Sequence, residues 1–263
     1  MDVFWAALLG LIQGLTEFLP VSSSGHLVLA GFVIGLPSTG LVFELVLHVA
    51  TLAAVIFYYR SDVAALLLAV PRALRAPLSG YREDESVRLG ILVVVASVPT
   101  AVIGLGFKDQ FESLTAYPQA VGGALLVTAL VLAATHYVRP KEQHLTLKVA
   151  LLVGLAQGLA ITPGVSRSGA TIAVALLFGV ASVHAARFSF LISIPAVGGA
   201  ALLKLTGGLG ALDLMPVVVG FVVSLVSGYL ALSWLVALVQ ARRFAAFAPY
   251  CAVVGLLAIG WAP

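Results

Sequence analysis

The stretch "GLTEFLPVSSSGHLVLA", Gly14 to Ala30, decides how this chain is read. Its apolar background suits a membrane helix, yet it carries a carboxylate, a proline, three serines and a histidine. A helix that crosses a bilayer needs about 20 apolar residues in succession. The cluster "LPVSSSGH" interrupts the run, and the pieces on either side, about 12 to 16 residues each, are too short to span. Residues 3–36 therefore read as a re-entrant hairpin or a broken helix pair.

Region 149–180 behaves the same way, broken by "TPGVSRSG". Gly10–Gly25 laid over Gly154–Gly169, at an offset of 144, gives nine identities in sixteen positions, with "GLIQGL" over "GLAQGL" and "VSSSG" over "VSRSG". Self-similarity at that distance signals a duplication, and duplicated halves of membrane proteins are commonly inverted. The expected division is a single integral membrane domain over 1–263, with inverted repeat 1 at about 1–140 and repeat 2 at about 145–263.

Composition sets the class. The chain is 61% hydrophobic and 10% charged, with mean hydropathy +1.13, whereas soluble domains carry about 25% charged residues. An all-α polytopic membrane protein is expected. Spanning segments are read at about 41–59, 89–107, 119–138 and 214–239, with 186–204 and a short 248–262 completing about six. The start "MDVFWAALLG" lacks a basic n-region and is read as part of the mature fold. Cys251, the single cysteine, excludes an intramolecular disulfide and a cysteine metal cluster; it reads as a small core residue.

Loop charges set the orientation. Arg60, Arg72, Arg75, Arg82, Arg88, Arg139, Lys141, Lys148, Arg187, Arg242 and Arg243 share one side if each hairpin enters and leaves by one face. Only Lys108 and Lys204 fall opposite, with Arg167 inside the second hairpin. Eleven against two is a strong positive-inside bias. Both termini are then expected outside. The polar stretch 71–88 reads as a solvated cytoplasmic connector near anionic head groups.

Chemistry concentrates in the two breaks. Irregular backbone at membrane depth must be buried in protein or line a wet cavity. Helices starting near Ser24 and Ser168 would aim their N-termini, with free N–H groups, toward anions such as phosphate. A charge at the bilayer centre costs about 2.5–3.5 kcal/mol on insertion scales, so Glu17 and Arg167 call for explanation. The Arg167 guanidinium matches a phosphate or carboxylate bidentately. Glu17 and Gln13, four apart on one helix face, offer oxygens to a hard divalent cation, Mg²⁺ or Ca²⁺. His26 is a candidate proton carrier, and Ser22, Ser23 and Ser24 are candidate nucleophiles.

Plainer roles compete. Glu17 and Arg167 would also serve as a buried structural bridge. Gln157 fits interhelical glue better than catalysis, the glycines of "GLIQG" and "GLAQG" fit close helix packing, and His48 fits a packing residue. At offset 144, Glu17 faces Ile161, His26 faces Ala170 and Ser23 faces Arg167, so the acid and histidine lie in one half and the arginine in the other.

At these residues the chain resembles the undecaprenyl-diphosphatase family of bacterial inner-membrane enzymes, the family linked to bacitracin resistance. Gln13 to Glu17 with "PVSSSGH" matches one family signature and "PGVSRSGAT", Pro163 to Thr171, matches the other. The likeness extends along "FELVLHVATLAAV" and "RFSFLISIPAVGGA". The resemblance implies hydrolysis of undecaprenyl diphosphate to undecaprenyl phosphate and inorganic phosphate with a divalent cation, recycling the lipid carrier for cell-wall polymers. It implies Glu17, Ser23, His26 and Arg167 as catalytic residues. Ser22, Ser166, Ser168 and Thr171, with Arg167, would hold phosphate. Gln13 stands where many members carry Glu, and an amide is no base and a weaker metal ligand.

Ser23, with His26 as its proton partner, is the first choice of nucleophile in this reading, with an activated water as the alternative. The partners expected are the isoprenoid lipid diphosphate and the bilayer, with a homodimer open and no nucleic acid. The site would face the periplasmic side of the inner membrane. The rival class is a lipid-phosphate flippase or secondary transporter, since inverted repeats and broken helices are common there.

Overall fold

A computed structural model describes residues 2–35, 41–138, 143–205 and 213–260. Arg139 and Lys141, counted above among the loop charges, lie outside the described residues, as does the side chain of Lys204. Among the described residues no strand forms, and two short 3₁₀ helices accompany thirteen α-helices. In chain order they are α1 (Val3–Phe18), α2 (Ser23–Ile34), α3 (Leu41–Tyr58), α4 (Arg60–Arg75), α5 (Pro77–Glu83), α6 (Glu85–Gly106), α7 (Lys108–Leu114), α8 (Pro118–Ala134), α9 (Leu147–Leu159), α10 (Arg167–Leu177), α11 (Ser182–Leu205), α12 (Leu214–Gln240) and α13 (Ala248–Gly260).

The chain is a multi-pass membrane protein. Among the described residues four helical segments are long and apolar enough to cross, Glu85–Gly106, Pro118–Tyr137, Ser182–Leu203 and Leu214–Gln240, or five if a bent pair counts as one span. The count differs from the six expected for two reasons. α3 ends at Tyr58 in an 83° bend into α4, so the two form one bent pair. α13 with the 3₁₀ turn before it, Phe244–Gly260, is still shorter than the about 20 residues a span needs. The broken pairs stand where the sequence put them, as α1/α2 and α9/α10, helices of 11 to 16 residues separated by the Pro/Ser and Pro/Gly turns.

The expected polar connector at 71–88 is helical, comprising the end of α4, α5 and the start of α6. Asp84 caps α6 through Ser86 N–H (2.9 Å) and pairs with Arg72 (3.1 Å). Arg187 of α11 ties this end together, donating to Asp62 and Glu85.

Reciprocal packing places the two broken pairs. α1 lies along α12, α9 along α6, α8 along α13, and α3 along α11. Glycines permit the closest crossings. A Cβ on Gly10 would stand 2.6 Å from the Gly220 carbonyl oxygen, and one on Gly154 would stand 2.1 Å from that of Ala96. No side chain fits at either point, so backbones meet. Thr100 and Gln157 tie the α6–α9 crossing. Thr100 donates to the Gly154 carbonyl (2.9 Å), and Gln157 donates to Thr100 (3.2 Å) and to the Ile192 carbonyl (3.3 Å). Gln157 is interhelical glue, as its sequence context suggested. Beneath the turns lies an apolar core that includes Phe18, Phe188, Phe190, Ile172 and Leu232. Phe18 meets Phe190 edge to face at 5.7 Å, anchoring the C-terminal end of α1.

Candidate active site

Each turn is built around a serine cap. Ser22 Oγ accepts from Gly25 N–H (3.3 Å) at the start of α2, and Ser166 Oγ accepts from Gly169 N–H (3.0 Å) at the start of α10. These serines are equivalent at offset 144, and both helices start one residue before the expected position. The two turns touch. Gly164 N–H donates to Ser22 Oγ (3.1 Å), and Gly25 lies so close to Gly164 that a Cβ would stand 3.0 Å from its Cα. Gly164 has φ +98°, which favours glycine, and a Cβ there would lie 2.4 Å from the Val121 carbonyl oxygen. Thr128 of α8 completes the turn, donating to the Gly164 carbonyl (2.9 Å) and accepting from Ser166 N–H (3.0 Å).

Glu17 sits at the junction, 8% exposed. Ser23 Oγ donates to Glu17 Oε2 at 2.6 Å, and Gln13 Nε2 donates to the same oxygen at 2.9 Å. Arg167 Nη2 reaches the other oxygen, Oε1, from the second turn at 2.5 Å. Ser23 and Arg167, equivalent positions of the two turns, thus bind opposite oxygens of one carboxylate. The structural bridge foreseen between Glu17 and Arg167 forms. It uses one guanidinium nitrogen, and among the described residues the guanidinium makes no other hydrogen bond.

His48, read as a packing residue, belongs to this cluster. Its Nδ1 is fixed by the Glu44 carbonyl (2.8 Å), and its Nε2 stands 3.9 Å from Glu17 Oε2. The sequence offered one signal for it, an ionisable residue in an otherwise apolar span. The Ser23–His26 pairing, by contrast, is not made. His26 Nδ1 lies 2.8 Å from the Ser22 carbonyl, and its Nε2 lies 2.7 Å from Tyr250 Oη. A helical ring four residues after a carbonyl is well placed to bond it, which turns the other nitrogen toward α13. The side chain that Ser23 Oγ bonds is instead Glu17.

Burial sorts the remaining residues. Ser166, Ser168 and Thr171 are at most 2% exposed and their hydroxyls are engaged within the protein. Ser168 bonds the Leu19 carbonyl (3.4 Å), and Thr171 bonds the Arg167 carbonyl (2.8 Å) and Ser189 Oγ (2.5 Å). They hold the backbone that carries Arg167. Ser22 is likewise buried between the turns. Ser23, His26, His48 and Arg167 are half-buried and keep part of their surface accessible.

Two observations bear on a cation. No group of three or more His, Cys, Asp or Glu that could hold a metal ion occurs among the described residues. Gln13 Oε1, however, is a buried acceptor with no hydrogen-bond partner, on the residue next to the Glu17 carboxylate. Such a donor set suits Mg²⁺, which keeps several waters and takes one or two protein oxygens plus substrate phosphate.

The family model described as bacitracin resistance protein BacA matches residues 6–257. The chain belongs to the BacA family. Among similar proteins, the undecaprenyl-diphosphatase of Desulfosudis oleivorans is 44% identical over 269 aligned residues, covering 97% of each chain. That of Desulforapulum autotrophicum is 41% identical and covers 98% of each, and that of Geobacter sulfurreducens is 41% identical and covers 97% of this chain and 96% of its own. BacA membership spans both turns, so the Glu17–Ser23–Arg167 cluster lies wholly within the matched region.

Proposed function

We propose that this chain hydrolyses undecaprenyl diphosphate to undecaprenyl phosphate and inorganic phosphate at the junction of the two turns. The observation that carries this reading is the Glu17 carboxylate, gripped by a serine hydroxyl from one turn and a guanidinium from the other. The relatives' names supply the substrate.

Arg167 offers its remaining N–H groups to the diphosphate and offsets its negative charge, the main contribution to phosphoryl transfer. The first N–H groups of α2 and α10, at the two touching turns, would add partial positive charge for the diphosphate. Ser23 Oγ attacks the terminal phosphorus while Glu17 takes its proton, at a separation of 2.6 Å. The bond to the bridging oxygen breaks, undecaprenyl phosphate leaves, and water later releases phosphate from serine. An attacking water held by Glu17 gives the same products in one step. A divalent cation held by Glu17 and Gln13 would supply Lewis-acid neutralisation of phosphate oxygens.

The architecture we infer is an inverted duplication. The reciprocal pairing of α1 with α12 and α9 with α6 supports it, as do the equivalent caps Ser22 and Ser166. Basic loops would then face the cytoplasm, with both termini and the site on the periplasmic side of the inner membrane. The flippase or transporter reading is weaker, because the halves are chemically unlike where Ser23 faces Arg167.

Phosphate release from undecaprenyl diphosphate by the purified protein, with and without Mg²⁺ or Ca²⁺, tests the proposal. Cation-dependent release that is lost in Glu17→Ala and Arg167→Ala is expected. Folded wild-type protein that moves labelled lipid across vesicles without releasing phosphate would overturn it.

A further inference from the structure

We propose that Tyr250 is the positioning residue for His26, fixing its ring tautomer so that Nε2 is the nitrogen able to accept a proton during turnover, in addition to the Glu17–Ser23 transfer; this rests on the hydrolytic reading above. Tyr250 lies in the first turn of α13, 224 residues away in the chain. Its ring stacks on the imidazole, centroids 5.7 Å apart and planes within 6°. Its hydroxyl lies 2.7 Å from Nε2, while Nδ1 lies 2.8 Å from the Ser22 carbonyl.

A carbonyl oxygen only accepts, so Nδ1 must carry the proton. Nε2 of the neutral ring then holds a lone pair, and the Tyr250 hydroxyl must donate to it. The backbone of the catalytic turn and a tyrosine of the last helix together select one tautomer. The docking is held beside this pair by Cys251, whose thiol donates to the Pro20 carbonyl at 3.5 Å. Tyr250 is 47% exposed, so its hydroxyl can rotate off and yield Nε2 to a proton from an incoming water or substrate.

Tyr250→Phe keeps the stacking ring and removes only the donor. In protein carrying ¹⁵N-labelled histidine, wild type should show the Nδ1–H tautomer at His26 with a hydrogen-bonded Nε2. Tyr250→Phe should lose that hydrogen-bond shift and mix the tautomers. Turnover in Tyr250→Phe should fall roughly 5- to 10-fold in kcat, as for the loss of one hydrogen bond, with KM little changed. In a His26→Ala background the same substitution should cost nothing further. An unchanged His26 spectrum in Tyr250→Phe, or losses that multiply in the double variant, would overturn the proposal. Wild type that releases no phosphate would sink the hydrolytic reading instead, while the spectra still decide the hydrogen bond. Tyr250→Leu, which also removes the ring, should reproduce the spectral change.

Discussion

Arg167 and Glu17, 150 residues apart, meet as an ion pair where the two turns join. Glu17 is 6% and Arg167 17% exposed at the side chain. Removing one member of so buried a pair leaves the other charge without its partner, a loss of about 3–5 kcal/mol in comparable cases. Glu17→Ala and Arg167→Ala should each lower the Tm in detergent, and the double variant should recover part of the loss. Thermal unfolding of the three variants checks this; a double variant less stable than both singles would contradict the pairing.

Ser23→Ala removes the hydroxyl that donates to Glu17 but no charge and little volume. Its Tm should stay near wild type while phosphate release falls ~10²–10⁴-fold. Near-normal release from this variant would assign the attack to water.

Thr128 satisfies two buried backbone groups of the second turn, the Gly164 carbonyl and the Ser166 N–H. Thr128→Val should destabilise by about 1–3 kcal/mol, because both groups lose their partner. Gly164→Ala should cost about as much through its positive φ, and the Cβ would also press on Val121. Denaturation midpoints measure both. Turnover per folded molecule should drop too, since Arg167 rides on this turn.

Gln13→Glu would place a second carboxylate beside Glu17, where the amide now lies 2.9 Å from Oε2. Without a cation the two like charges repel; with one they form a stronger oxygen site. Half-activation should need several-fold less Mg²⁺ than in wild type, read from a titration of phosphate release after chelation. An unchanged titration would place the cation away from Gln13.

Much of this was legible in the chain. The apolar stretches 89–107, 119–138, 186–204 and 214–239, the two breaks and the repeat at offset 144 follow from hydropathy and self-alignment, because a bilayer leaves few ways to satisfy a backbone. Glu17, Arg167 and the serines stood out because polar groups are costly there. The bend after Tyr58 was not legible, since α3 and α4 run on without proline or glycine between them. Nor was the helical order of 71–88, which depends on Asp84 capping α6.

The sequence by itself determined the membrane class, the broken helices and the residue types that gather in the two turns. Only the tertiary structure decided who meets whom: Ser23 with Glu17, His26 with Tyr250, His48 beside the carboxylate, and Ser166 and Thr171 turned inward. Periodicity reports which residues share a face of one helix. Crossings such as Gly10 on Gly220 and Gly154 on Ala96 set the depth and rotation of helices far apart in the chain, and that packing selects each side chain's partner.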